Sequence, residues 1–542
     1  MKRRADEAAH AGQTAWRRQA KKRILSNNLA AKEVHEDLSK AQSAGARGCE
    51  DFLATKGGKN AQRDLLNKML RENEWPGLYW ADIPVADLKT GKVKTQAVPF
   101  LLPHEWLPMY TRWPEAFDDL RPGEEVLQRR QHTLARQLKA DPAKLVMLGM
   151  HGDGMPIGGT LNPDSLDVFN LNMPTSTKHG RMRIPFVCMQ LKHLAPGTFA
   201  AIVKVLCWSL RCLATGKRAT CRRDGSPFES KEDKKRRPNP EQGTDLGVQA
   251  VLAEIRGDWK WLQKLFHFPA WNKGTGFCWL CKCVLKDMRL LDTAAAPWRF
   301  ERMTGEEFLQ LCRLQGIPVC EMFSLPGVSP DIVFPDWMHS ADMGVTQDVL
   351  AHVFHEVPPH MEGNSLETRT EALFGCILKY YERFQVENRL HTLQAKNFTT
   401  AGATKANKMK CKASIARDLV PFLPTLCRRF LNSGSEHDRA VQVLVQSLAD
   451  CYKLMETPGP DLRKASQRFA NAYAALEHEV LQRNPNDPHW RIKPKLHLFL
   501  QLCEFGQRVA RLFWCYMDET FGNVIAHLAQ RRGGVDNPGK KR

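Results

Sequence analysis

The stretch Leu145-Val146-Met147-Leu148-Gly149-Met150-His151-Gly152-Asp153-Gly154 decides how the rest of the chain is read. Its first six residues are apolar or glycine, and so short a run suits a buried strand. It ends in Gly-Asp-Gly. An acid at the C-terminal end of a strand stands where ligands meet a sheet. Flanking glycines let a metal ion or phosphate approach the backbone closely. The competing reading is a turn aspartate, because Asp-Gly is a common turn pair.

Downstream, Asp167 to Leu171 and Ile184 to Leu191 have the length and apolar content of two further strands. Pro196-Gly197 then breaks the chain before an apolar helix from Thr198 to Leu213. Val248 to Ile255 fits strand or helix by pattern, and its position before Gly257-Asp258 favours a fourth strand. Upstream, residues 123–139 carry a helical pattern, and Trp75 to Trp113 is rich in Trp and Pro with little periodicity, which predicts packed loops and short elements. From 340 onward the patterns are helical: 340–356, most of 365–480 (with Ala440 to Tyr452 and Leu462 to Val480), and a final pair within Lys493 to Gln530. No internal repeat interrupts them.

The totals narrow the function. Hydrophobic residues at 43% and charged residues at 25% describe a folded globular chain, and 542 residues exceed what one core usually holds. Lys and Arg number 79 against 59 acids, a formal charge of +20 that favours a polyanionic partner. Two clusters concentrate it: Arg17-Arg18 with Lys21-Lys22-Arg23, and Lys234-Lys235-Arg236-Arg237. Each reads as a nuclear import signal, a phosphate-contacting patch or simply a solvated basic face. No uninterrupted apolar run reaches the roughly 18 residues of a membrane span, and Met1-Lys2-Arg3-Arg4 leads into polar residues without a secretory core. The 16 cysteines lie scattered apart from Cys278, Cys281 and Cys283, which predicts reduced thiols and one metal site.

Two more acids repeat the theme of Asp153. Asp258 follows the fourth strand in Gly257-Asp258-Trp259-Lys260-Trp261, where a helix N-cap is the alternative. Glu519 sits in Tyr516-Met517-Asp518-Glu519-Thr520-Phe521 near the start of the last helix, where a solvated acid is the alternative. Together they match a chemistry. Two-metal phosphoryl transfer needs several carboxylates around ions ~4 Å apart, and hard oxygen ligands suit Mg²⁺. A second constellation is Cys278-x-x-Cys281 with Asp336-x-x-His339. Such a pair bends two thiolates onto one tetrahedral Zn²⁺, with the missing ligands drawn from His339 with Cys283, His267 or Asp336. Two buried free cysteines beside Trp279 are the plain alternative.

In order, these landmarks resemble CACTA-type and Plavaka-like transposases. Asp153-Gly154-x-Pro156 after a strand resembles the family's first catalytic block, followed by a strand and Arg183-Ile184-Pro185-Phe186-Val187-Cys188. Gly257-Asp258 with Phe277-Cys278-Trp279-Leu280-Cys281 is similar to its aspartate and Cys-x-x-Cys. Pro335-Asp336-Trp337-Met338-His339 ahead of Gly344-Val345 is similar to its Asp-x-x-His. Lys493-Pro494-Lys495-Leu496-His497, then Asp518-Glu519-x-Phe521-Gly522, is similar to its end blocks, with Asp518-Glu519 where the family more often has Glu-Arg. The resemblance spans about residues 145–530. It implies a mixed α/β chain, an RNase H-like core interrupted by a large all-helical insertion, behind a basic helical N-terminal region. It implies cut-and-paste DNA strand transfer with Mg²⁺ or Mn²⁺ on Asp153, Asp258 and Glu519. It also implies structural Zn²⁺ on Cys278, Cys281 and His339, with His497 near the active centre. The expected divisions are 1–75, 76–140, 141–350 (with a basic linker at 216–247), 351–485 and 486–542.

A transposase-derived, nuclear, DNA-handling protein is therefore the leading expectation. Homo-oligomers are compatible with it, and neither a membrane nor a small-molecule substrate is expected. The alternative is a zinc-stabilised scaffold that binds DNA or protein without catalysis. A third reading is a helical interaction protein whose strands are misassigned.

Overall fold

A computed structural model of the chain describes residues 76–531 apart from 112–116, 118–119, 158–163, 176–182, 231–232, 238–242, 269–277, 285–286, 289–300, 400–407, 488, 506–508 and 511–513, together with 36, 39–40 and 42–43. The chain divides into two compact units. The first, Met1–Tyr79 with Leu101–Arg112, contains helix α1 (Pro103–Tyr110). The second, Trp80–Phe100 with Trp113–Arg542, holds all that follows.

The second unit is a mixed α/β structure. Its centre is a four-stranded sheet of β3 (Leu145–Pro156), β4 (Ser165–Asn172), β5 (Arg183–Gln190) and β6 (Gln249–Gly257) in the order β5-β4-β3-β6. β3, β4 and β5 form an antiparallel meander. β6 then lies parallel to β3 on its other side, after a crossover through α3 (Thr198–Thr215). Beyond β6, Val333 adds a parallel bridge to Ile255. β3 is buried along its first eight residues, so a continuous apolar run replaces the alternation of a half-exposed strand.

The two faces of the sheet carry different partners. On one, Phe169 meets Phe199 of α3 and Trp261 of α4 (Trp259–Phe266) at ring distances of 5.4 and 5.3 Å. Trp261 lies on Gly152 and Gly257, where any Cβ would run into its indole. Gly152 and Gly257 therefore serve packing, whereas a Cβ at Gly154, the other glycine of the Gly-Asp-Gly turn, would meet only the Asp167 carboxylate at 3.4 Å. On the other face, Met155, Leu166 and Val168 pack with Ala526 of α13 (Tyr516–Arg531). This is the face of His151 and Asp153, because side chains alternate along a strand.

A helical core fills the remainder. After α2 (Glu125–Leu138) and α5 (Gly305–Leu314) come a π-helix at Met338–Thr346, α6 (Gln347–Glu356), α7 (Leu366–Phe384), α8 (Ala413–Leu419), α9 (Leu423–Phe430), α10 (Glu436–Leu454), α11 (Pro460–Arg483) and α12 (Pro494–Phe505). One apolar cluster runs from Trp337 through Leu350, Leu444 and Phe469 to Phe499 and Ala510. It thus reaches past both ends of the 351–485 segment expected as the insertion.

Two local features go beyond what the sequence pattern showed. The stretch read as packed loops and short elements contains a hairpin of β1 (Tyr79–Ala86) and β2 (Val93–Phe100), longer and more regular than expected. Pro84 and Pro99 mask it in the sequence, since proline argues against strands. Also, α3 is long and apolar enough by composition to cross a membrane, with mean hydropathy 1.4. It ends at Gly216 in the left-handed region, and Ile202, Val205, Leu206 and Leu213 are buried in the core of this unit.

Candidate metal and carboxylate centre

The last helix is seated by ion pairs before it offers any chemistry. Asp518 is fully buried and bound by Arg183 of β5, with Arg256 of β6 at 3.6 Å. Arg256, itself buried, also holds Glu254 at 2.9 Å and donates to the Trp514 carbonyl at 3.0 Å. Burial opposes the Asp518 charge, but the guanidinium of Arg256, then that of Arg183, outweighs it and holds the carboxyl down at about 2. A buried acid so fully paired is an anchor for α13. Its neighbour is free for another role.

That neighbour, Glu519, comes to His151 and Asp153 of β3, and ligand atoms of the three lie within 4.8 Å of one another. Burial, followed by the hydrogen bond and charge of Asp153, pushes the Glu519 carboxyl well above the usual carboxylate range. Two acids this close repel when both are ionised, and a cation relieves that repulsion. His151 is buried, and burial lowers its pKa, so the ring is neutral. Its Nδ1 lies 3.3 Å from the Asn170 amide nitrogen, while His151 Nε2 and the Asn170 Oδ1 have no partner. With the amide turned over, Asn170 accepts from Nδ1–H and leaves Nε2 a lone pair for a metal ion.

His339 joins this centre. Its Nε2 is 3.5 Å from Glu519 Oε1, and its Nδ1 is 2.8 Å from Asp336 Oδ2. Burial works against protonation of His339, but the hydrogen bond and charge of Asp336, then Glu519 and Asp153, raise its pKa overall. Asp336 is buried and accepts the His339 and Cys515 amides; desolvation works against its charge, but the hydrogen bond and charge of the His339 ring, with those two amides, hold it below its ordinary value. The structure thus corrects the expected assignment of His339 to the cysteine pair. Asp336-x-x-His339 closes on itself within one helical turn, and that turn faces α13 rather than Cys278.

Asp258 stands beside Asp153, since the β3–β6 register ends at Gly152 with Gly257. Its Oδ1 accepts the Trp261 amide at 2.6 Å and caps α4. Among the described residues it falls outside the His151–Asp153–Glu519 group. The cap anticipated as an alternative is therefore present, at the strand end where a metal acid was also expected. Lys495 adds a cation that sequence reading passed over. Burial and Lys408 press its pKa down to about 8, against the pull of Asp348, Asp258 and Asp336.

The cysteines gather elsewhere. Cys278 and Cys281 share a cluster with His497 of α12, all three buried, with ligand atoms within 4.8 Å of one another. His497, expected near the carboxylates, and His339, expected with the thiols, have exchanged places. No local pattern marks this, because each histidine lies far in sequence from either group. His267, the other ligand considered, is at the C-cap of α4 and in neither group.

No protein-family model matches this sequence, and no curated protein matches it. The basic clusters divide. Arg17, Arg18, Lys21, Lys22 and Arg23 lie outside the described residues. In the second cluster Arg236 is half-buried and pairs with Asp233 at 3.5 Å, while Lys234, Lys235 and Arg237 are exposed, Arg237 also donating to the Phe228 carbonyl at 2.7 Å.

Proposed function

We propose that this chain is a transposase-derived protein whose carboxylate centre cuts and joins DNA strands with Mg²⁺ or Mn²⁺, in the manner of RNase H-like enzymes. One observation carries the reading: Glu519, from the last helix, meets Asp153, at the end of the central strand, beside a neutral imidazole with an unpartnered nitrogen. The sheet order β5-β4-β3-β6, with an antiparallel meander and one parallel strand beyond it, supports an RNase H-like core. So does the long helical stretch between β6 and the helix that returns Glu519.

Asp153, Glu519 and His151 would hold the divalent ion, which supplies Lewis-acid activation of water or a 3′-hydroxyl and neutralises phosphate charge. The chain's own residues do the rest. Asp518 fixes the turn of α13 that presents Glu519. Asp336 orients His339 as an imidazolium able to give a proton to a departing oxygen. Lys234 and Lys235 offer contacts to phosphates that position DNA without reading its sequence.

The test is nicking of supercoiled plasmid in Mg²⁺ or Mn²⁺ by wild type, Asp153→Asn and Glu519→Gln. Metal-dependent nicking by the wild type, lost in both variants, is the expected result. Equal nicking by all three, or none by any, overturns the reading. The use of Asp258 as a helix cap favours a second reading, a domesticated scaffold that binds DNA or protein without cutting. Salt-sensitive binding of plasmid with no nicking would be its signature.

A further inference from the structure

Asp342 is fully buried in the π-helix and accepts two tyrosine hydroxyls, Tyr452 Oη at 2.5 Å and Tyr516 Oη at 2.7 Å. The first comes from α10 of the helical core, the second from the first turn of α13. Tyr452 gives its one proton to Asp342, so the Thr346 hydroxyl, 2.7 Å away, donates to Tyr452. Arg417 of α8 closes the cluster, its guanidinium 5.0 Å from both the Trp514 and the Tyr516 ring. Burial pushes the Asp342 carboxyl up to about 7 against the pull of Tyr452, Tyr516 and Arg417. An acid this hard to bury therefore lies in a π-helix, a rare form found most often at functional sites.

The π-helix meets the side chains of α13 twice. His339 Nε2 reaches Glu519 Oε1 at 3.5 Å, and Asp342, three residues further on, holds Tyr516, three residues before Glu519. Residues three apart on an α-helix are neighbours on one face, so a hold on Tyr516 fixes the turn that carries Glu519. Asp518 ties that helix to the sheet, and Asp342 ties the same turn to the helical core. We infer that Asp342 is a positioning residue of the carboxylate centre: through Tyr516 it sets where α13 presents Glu519 to Asp153, and through Tyr452 it makes that setting depend on the helical core. The inference rests on Glu519 and Asp153 forming the centre proposed above. It gives the helical stretch a part in that centre without contact to substrate, and a misplacement of about 1 Å can cost on the order of 100-fold in a positioned reaction.

The experiment is a set of double-mutant cycles on the purified full-length chain, read by calorimetric melting at pH 8. Without divalent ions, Glu519→Gln should raise the melting temperature of wild type, because it removes an acid crowded against Asp153. In the Tyr516→Phe and Tyr452→Phe backgrounds, which lose one hydroxyl and keep the ring, that rise should fall to less than half. Tyr381→Phe is the control: it removes a buried hydroxyl that accepts the Leu390 amide at 3.1 Å, and it should leave the rise intact. Hydroxyls with a merely structural role would lower the melting temperature and leave the rise unchanged, so a full rise in either background overturns the inference. No rise in wild type overturns it too, for there is then no contact with Asp153 to set. Mn²⁺ separates this inference from the metal reading. Stabilisation of wild type by the ion should shrink in Tyr516→Phe; its absence from wild type would sink the metal reading, while the metal-free cycles still decide the role of Asp342.

Discussion

Asp336 and Cys515 are joined by a 2.8 Å hydrogen bond from the Cys515 amide to the Asp336 carboxylate, which ties the entry to the π-helix to the residue before α13. The other oxygen of the same carboxylate holds the amide and ring of His339. One buried acid therefore sets the spacing between His339 and the helix that bears Glu519. Asp336→Ala strands three donors, the Cys515 amide and the amide and ring nitrogen of His339, at about 1–3 kcal/mol for each buried group left unmade. Denaturant titration should show a loss of about 3 kcal/mol or more, with faster hydrogen exchange at the Cys515 amide. An unchanged midpoint would show that Asp336 does not organise this junction.

The Asp518 anchor predicts a particular acid limb. Its carboxyl titrates at about 2 when folded against 3.8 for the ordinary side chain. A depressed acid stabilises the fold above its unfolded pKa, and that stabilisation disappears as pH falls through the folded value. The difference corresponds to about 2 kcal/mol. It should be fully present at pH 5 and mostly gone near pH 2. Asp518→Asn should be markedly less stable than wild type at pH 6 and converge on it near pH 2. A gap independent of pH would mean that Asp518 contributes packing rather than charge.

The contact between Gly152 and Trp261 yields a prediction about packing alone. A methyl at Gly152 would overlap the indole, so Gly152→Ala must displace α4 from the sheet or bend β3. Overpacking of this kind costs typically about 1–3 kcal/mol. Pairing it with Trp261→Leu should recover part of the loss, because the smaller side chain makes room. Full additivity of the two substitutions in thermal unfolding would argue against the contact.

These residues also show what the sequence could reveal. β3, β4, β5 and α3 were legible because burial on both faces leaves short apolar runs, and burial is what hydropathy reports. Asp153 and Glu519 were legible as acids at element ends. The partners that select between them were not. Arg183 and Arg256 look like ordinary surface cations until the fold buries them against Asp518. The exchange of His339 and His497 was hidden for the same reason: local spacing brings Asp336 to His339, but only tertiary packing decides which distant group a histidine meets. The hairpin of β1 and β2 was missed because its prolines sit where strand pairing was thought to need amides.

Glu519 gives the sharpest separation of function from stability. Its carboxyl is raised above 4.5, its ordinary value, by burial and by Asp153. A raised acid is bound to its proton more tightly in the folded state, so the fold loses stability as pH climbs from the unfolded value towards the folded one. Glu519→Gln removes that loss. Without divalent ions the variant should melt at the same temperature as wild type near pH 4 and at a higher temperature at pH 8. Mn²⁺ should reverse the order at pH 8, because a ligand bound only by the folded wild type stabilises it by mass action. Differential scanning calorimetry at the two pH values, with and without Mn²⁺, reads all four combinations. If Mn²⁺ raised both proteins equally, the ion would be binding elsewhere, and Glu519 would be a buried acid without a metal to hold.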